Sequence, residues 1–177
     1  MKRSTVAVIR VHRSPLDRTR GRLVAGPITL PCSLGRAGPR RGKREGDGAS
    51  PIGRLRVLGG FYRADRLPRP RTFLRLRPIR PQDGWCDDPR DRRYNRAVRR
   101  PYPASHEAMW RDDHLSDVVL DLAWNRGPIV RGRGSAIFLH LARGDFAPTA
   151  GCVAVQPGAV GRLLERIGPD TVIEIVG

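Results

Sequence analysis

The stretch from Ser135 to Val155 constrains this chain most tightly, because it reads as two short apolar runs separated by a segment that neither a helix nor a continuous strand can cross. Ala136 to Leu139 is apolar and leads into His140. Gly144, Asp145 and Pro148 then break the chain, and Cys152 follows Gly151 at the start of a second apolar run. Two adjacent strands are implied, with a histidine and a cysteine twelve positions apart on either side of one loop. In that arrangement an imidazole and a thiol can face each other.

A thiol becomes a useful nucleophile when a neighbouring imidazole accepts or shares its proton, since the attacking species is the thiolate. Gly151, immediately before the sulfur, permits a close backbone approach and leaves amides to face a developing oxyanion. On these residues alone two readings stay open: a catalytic pair, or a buried cysteine and histidine that merely pack.

The remaining sequence narrows the class of protein. A chain of 177 residues is expected to form one domain, 1–177, with a real core. Its composition, 39% hydrophobic and 29% charged, is that of a globular protein, and no apolar run approaches the length of a membrane span. The formal charge of +17 raises the question of nucleic acid. The charge is nearly all arginine, spread from Arg3 to Arg166, without a recognition helix, zinc finger or aromatic RNA-binding pattern. A solvated basic surface is the expectation, and no nucleic-acid partner. The segment Gly35 to Ser50 is rich in glycine, but it lacks the Gly-Lys-Ser/Thr ending and following helix of a phosphate cradle. Met1-Lys2-Arg3 is basic, yet Arg10 and His12 interrupt the apolar stretch after it, so no signal peptide is recognisable. Of the three cysteines, Cys32 and Cys86 would leave Cys152 as the free thiol if they were paired, although Cys32 also reads as a buried small hydrophobe. No metal or cofactor is expected, because His106, His114, His140 and Cys152 include no close pair at ligand spacing.

Along the chain, Thr5 to Val11 reads as a first strand, and Arg22 to Ala25 with Ile28 to Cys32 as a hairpin about Gly26-Pro27. Ile52 to Leu58 and Thr72 to Arg77 follow as strands. Pro78 to Pro103, rich in proline and arginine and holding Trp85, Tyr94 and Tyr102, reads as a long irregular segment. Ser105 is placed to cap a short helix through Glu107, Met109 and Trp110. Val118 to Trp124 and Ala136 to Leu141 are strands. Pro157 opens a second helix, with Val160, Leu163, Leu164 and Ile167 at helical spacing up to Gly168-Pro169, and Thr171 to Val176 is a final strand. The sum is an α+β, β-rich domain.

Three blocks in order resemble one known family. His140 followed by Thr149-Ala150-Gly151-Cys152-Val153 is similar to the active-site signature of L,D-transpeptidases with a YkuD-type catalytic domain. Lys43 to Gly53 resembles that family's Glu-Gly-Asp-Gly-x-(Ser/Thr)-Pro-x-Gly segment, and Trp85-Cys86-Asp87-Asp88-Pro89 with Tyr94-Asn95 resembles a third recurrent block. In this chain Ala150 stands where the family has a second histidine, Ala154 stands where it often has a small polar residue or arginine, and the His-to-Cys spacing is short. The resemblance implies a YkuD-like β-sandwich with short helices, and acyl transfer on peptidoglycan stem peptides through a Cys152 thioester. It implies His140 as base, Gly151 and Thr149 as support for the oxyanion and active site, and Trp85, Tyr94 and Asn95 as shapers of the substrate cleft or a structural plug. It further implies a cell-envelope or periplasmic location, possible acylation by carbapenems, and cross-links of 3-3 or 1-3 type. Two alternatives stand beside it: an amidase or L,D-carboxypeptidase on the same scaffold, and a non-catalytic basic domain that binds a polyanion.

Overall fold

Strand formation follows the period-two pattern of the sequence. In β1 (Val8–Arg13), Ile9 and Val11 are buried while Arg10 between them faces out. In β14 (Val172–Val176), Ile173 and Ile175 do the same. The two strands pair in parallel, with Ile9 beside Ile173 and Val11 beside Ile175, and on the outer face Arg10 meets Glu174 at 3.1 Å. Between them in the chain, β2 (Arg20–Ala25) and β3 (Ile28–Ser33) form the expected hairpin. Ala25 pairs with Ile28 across the two-residue turn, where Gly26 at φ 60° takes a conformation that tight hairpins require.

The computed structural model describes residues 5–177. Its further strands are β4 (Pro39–Arg40), β5 (Ser50–Pro51), β6 (Gly53–Tyr62), β7 (Leu76–Pro78), β8 (Asp83–Cys86), β9 (Ala97–Arg99), β10 (His106–Ala108), β11 (Val118–Leu122), β12 (Phe138–Leu141) and β13 (Val153–Val155), with helix α1 (Pro157–Leu164) before β14. The main sheet runs β11-β12-β13-β3-β2-β1-β14-β6-β7, and β11 also pairs with β6, so the sheet curls back on itself around the core. That closure needs close backbone approach at Gly60, where a Cβ would lie 2.5 Å from the Val119 carbonyl oxygen. The result is a β-rich, sandwich-like domain, as the sequence implied. No helix among the described residues is long and apolar enough to cross a membrane.

Several local expectations change. Pro78 to Pro103 is not irregular throughout: it contributes β8 and β9 to a second sheet of order β10-β8-β9. The helix expected from Ser105 is strand β10, which pairs with β8 so that His106 opposes Cys86 and Glu107 opposes Trp85. A helix of so few residues cannot hold itself together, whereas β8 offers the segment ready backbone partners. The strand expected from Thr72 shortens to Leu76–Pro78 because the Thr72 hydroxyl turns back to accept from the Leu74 amide. Helix α1 stops at Leu164, a turn earlier than the spacing implied, yet Ile167 remains fully buried. Cys32 lies in the main core and Cys86 in the second sheet; both are free and buried, so they form no disulfide.

Candidate active site

Parallel pairing of β12 with β13 sets Leu139 beside Val153, His140 beside Ala154 and Leu141 beside Val155. Side chains alternate along each strand, so Leu139, Leu141, Val153 and Val155 enter the core, while Phe138, His140, Cys152 and Ala154 share the opposite face. All four of the latter line one cavity of about 380 Å³. With strand spacing near 4.8 Å and two residues of rise, the His140 and Cys152 backbones are about 8 Å apart on the diagonal, within reach of an imidazole and a thiol. The small side chain of Ala154 leaves the space beside His140 open.

The loop that delivers Cys152 is clamped from both sides. Thr149 donates its amide to the Leu34 carbonyl (2.9 Å), and its own carbonyl accepts from the Arg36 amide (2.9 Å). The Thr149 hydroxyl accepts from the Gly151 amide (3.1 Å) and donates to the Cys152 carbonyl (2.7 Å), which the Ser50 hydroxyl also approaches at 3.4 Å. Gly151 has φ 143°, and a Cβ there would stand 2.7 Å from the Ala49 carbonyl oxygen, so only glycine fits. Behind it lies the buried ammonium of Lys43, which is paired with Asp47 at 2.8 Å. Asp47 also accepts the amides of Arg44 (2.8 Å) and Ala49 (2.9 Å). Burial works against its charge, but these partners outweigh it and hold the carboxyl below its ordinary range.

A second set of contacts fixes the sulfur. Cys152 Sγ donates to the Ala136 carbonyl (3.2 Å) and receives the Phe138 amide at 3.4 Å. Ala136 sits at φ 52°, a costly conformation for a residue with a Cβ. Buried Asn95 holds it there: its Oδ1 accepts from the Ala136 amide and from Trp85 Nε1, each at 3.1 Å, while its Nδ2 donates to the carbonyls of Trp124 and Asn125. Trp85 in turn packs edge-on against Phe138, with centroids 5.1 Å apart. A chain of contacts thus runs from Trp85 through Asn95 and Ala136 to the thiol.

Both members of the pair are held neutral. Burial pushes the Cys152 thiol up to about 12; the Glu107 carboxylate adds to this, and the Phe138 amide and Lys43 oppose it. Burial likewise holds the His140 imidazolium below its ordinary value, against the pull of the Leu141 carbonyl. His140 Nδ1 donates to that carbonyl at 2.8 Å, which leaves Nε2 as the unprotonated nitrogen. Cys32 is also pushed up to about 12 by burial, so proton affinity does not distinguish the two cysteines. What sets Cys152 apart is its place in a cavity that it shares with an imidazole.

The structure therefore brings His140, Cys152 and Thr149 together in one cavity, with Gly151 beneath. Trp85, Tyr94 and Asn95 are instead buried behind the cavity wall and do not line it. Tyr94 donates to Glu45 at 2.6 Å and receives the Gly134 amide at 3.0 Å. Sequence reasoning missed Glu107, Arg111 and Arg143, which line the cavity. No motif marked them; only the pairing of β10 with β8 turns Glu107 toward the sulfur. His106 and His114 are engaged with the Ala104 carbonyl and Asp117, and no group of three His, Cys, Asp or Glu among the described residues is placed to hold a metal.

The family model YkuD, L,D-transpeptidase catalytic domain, matches residues 17–175, and the chain belongs to that family. Among solved structures, Mycobacterium tuberculosis L,D-transpeptidase 1 is similar with a TM-score of 0.42 and 12% sequence identity, over 96% of this chain and 62% of that one. The chain thus spans less than two thirds of that protein's length. No curated protein matches the chain.

Proposed function

We propose that this protein is a cysteine-dependent L,D-transpeptidase that acts on peptidoglycan stem peptides in the cell envelope. The observation that carries the reading is the placement of His140 and Cys152 on one cavity-lining face of adjacent parallel strands, with His140 Nδ1 committed to the Leu141 carbonyl. Because thiol and imidazole are both neutral at rest, the nucleophile is not a standing ion pair; the proton leaves as the sulfur attacks. Sγ bonds to the carbonyl carbon of the donor peptide while its proton passes to His140 Nε2. The carbon–nitrogen bond then breaks, and His140 returns the proton to the departing amine, leaving a thioester on Cys152. The amide of Gly151 is occupied by the Thr149 hydroxyl, so the amide of Cys152 is the one assigned to the oxyanion. An amine from a second stem peptide attacks the thioester and completes a cross-link of 3-3 or 1-3 type. With Ala150 in the place of a second histidine, the base role falls to His140 alone.

Incubation of the purified protein with muropeptides tests the reading. Cross-linked dimers that are absent with Cys152→Ala support transpeptidation. Shortened monomers without dimers indicate the hydrolase alternative, and no change in the muropeptides with unreactive Cys152 indicates a binding domain.

A further inference from the structure

Glu107 is the one carboxylate that lines the cavity, and among the described residues it accepts no hydrogen bond and joins no ion pair. The guanidinium on the same wall does not serve it: Arg111 turns Nε to Asp113 at 3.0 Å and places a second nitrogen on the same carboxylate, which Arg143 also approaches at 3.5 Å. A carboxylate without a protein hydrogen bond thus shares one cavity with Cys152 and His140, in a chain whose net charge is +17. A second observation points the same way. Asp87, which follows β8 and donates its amide to the Ser105 carbonyl at 3.2 Å, lies on the same side of the β10–β8 pair as Glu107, and its Oδ1 is buried with no hydrogen-bond partner among the described residues. The Glu107 carboxylate works against thiolate formation at Cys152. Acylation alone gives no reason for it.

We propose that Glu107 is the seat of the acyl acceptor's amine: its carboxylate receives the incoming ammonium group, takes one of its protons and presents the free amine to the Cys152 thioester. The proposal rests on the reading of Cys152 as the thioester-forming nucleophile. The protons balance. An ammonium carries three; one passes to Glu107 and then to solvent, a second passes through His140 to the departing sulfur, and the third stays on the new amide nitrogen. The carbon–nitrogen bond forms as the carbon–sulfur bond breaks, and no oxidant or further reactant is needed. Loss of hydration against the cavity wall, with Asp87 and Glu45 adding and Arg111 opposing, pushes the Glu107 carboxyl up to about 7, which suits exchange of a proton near neutrality. Because the side chain opens to solvent, water moderates that rise. Glu107 would thereby decide between amine and water as acceptor.

The test uses the full chain with a tetrapeptide muropeptide as donor and D-alanine amide as acceptor, and reads aminolysed against hydrolysed product by mass spectrometry. Glu107→Gln is expected to lower that ratio by about tenfold or more, with part of it restored in Glu107→Asp; a ratio within about twofold of the wild type overturns the proposal. The ratio is taken per acyl-enzyme, so a change in acylation rate does not move it. Saturation-transfer NMR with D-alanine amide and unacylated protein supplies a readout that needs no thioester. Contact signals in the wild type that vanish in Glu107→Gln support the seat, and their absence from the wild type overturns it. Amine binding by a protein that never acylates would contradict the transpeptidase reading and leave the amine seat standing.

Discussion

The two faces of the β12–β13 pair do different work. On one, Leu139, Leu141, Val153 and Val155 are buried in the main core, where each contributes apolar area and tight packing. On the other, Phe138, His140, Cys152 and Ala154 line a cavity, and polar atoms are positioned at the cost of a strained Ala136, a glycine-only Gly151 and two groups held away from their charged forms. The same four-residue strand thus supports the fold and lines the cavity one residue apart. A single-residue slip in register would exchange the two faces, so the core fixes the site.

Substitutions on the two faces should separate cleanly. The largest effect belongs to Cys152→Ala: turnover of muropeptides should fall by about a thousandfold or more, while the melting temperature stays near that of the wild type. His140→Gln should slow acylation by about 10²–10⁴-fold, measured by single-turnover mass spectrometry. On the core face, Leu139→Ala should cost about 2–5 kcal/mol in chemical denaturation, with the acylation rate per folded molecule little changed. Asn95→Ala bridges the two faces. It strands the buried donors of Ala136 and Trp85, so about 1–3 kcal/mol of stability should be lost together with acylation rate. Thr149→Val, which removes the hydroxyl between Gly151 and Cys152, should cost about 1 kcal/mol, and Thr149→Ser should restore it.

The pH response provides a finer separation. His140 has a depressed value in the folded protein, so below the ordinary histidine value of 6.5 the unfolded chain takes up its proton more readily. The stability that a neutral His140 contributes is present above that value and is lost as pH falls through the folded one. His140→Gln should flatten this part of the stability profile, read from denaturation midpoints across the acid range, whereas Leu139→Ala should shift the whole curve without changing its shape.

How much was legible in the sequence depended on whether a signal was local. The hairpin about Gly26-Pro27 and the start of α1 at Pro157 rest on a two-residue turn and on a proline at the first helical position, and both form as read. That His140 and Cys152 would lie on adjacent strands was legible because a glycine- and proline-broken loop separates two apolar runs. The strand at His106–Ala108 was not, since three residues show no periodicity and only β8 makes them extended. Glu107 was hidden for the same reason. The Asn95 hydrogen bonds, which span from Trp85 to Asn125, depend on a buried side chain at φ 56° that no spacing reveals. The parallel pairing of β12 with β13, which brings the thiol and imidazole onto one face, is likewise a property of the closed sheet.

The most direct test of the site is peptide mapping after a short exposure of the native protein to a carbapenem, with His140→Gln treated in parallel. The account expects one covalent adduct, on Cys152, formed much more slowly in the His140 variant, with Cys32 and Cys86 untouched despite their free thiols. An adduct distributed over the three cysteines, or one on Cys152 that forms equally fast without the imidazole, would contradict it.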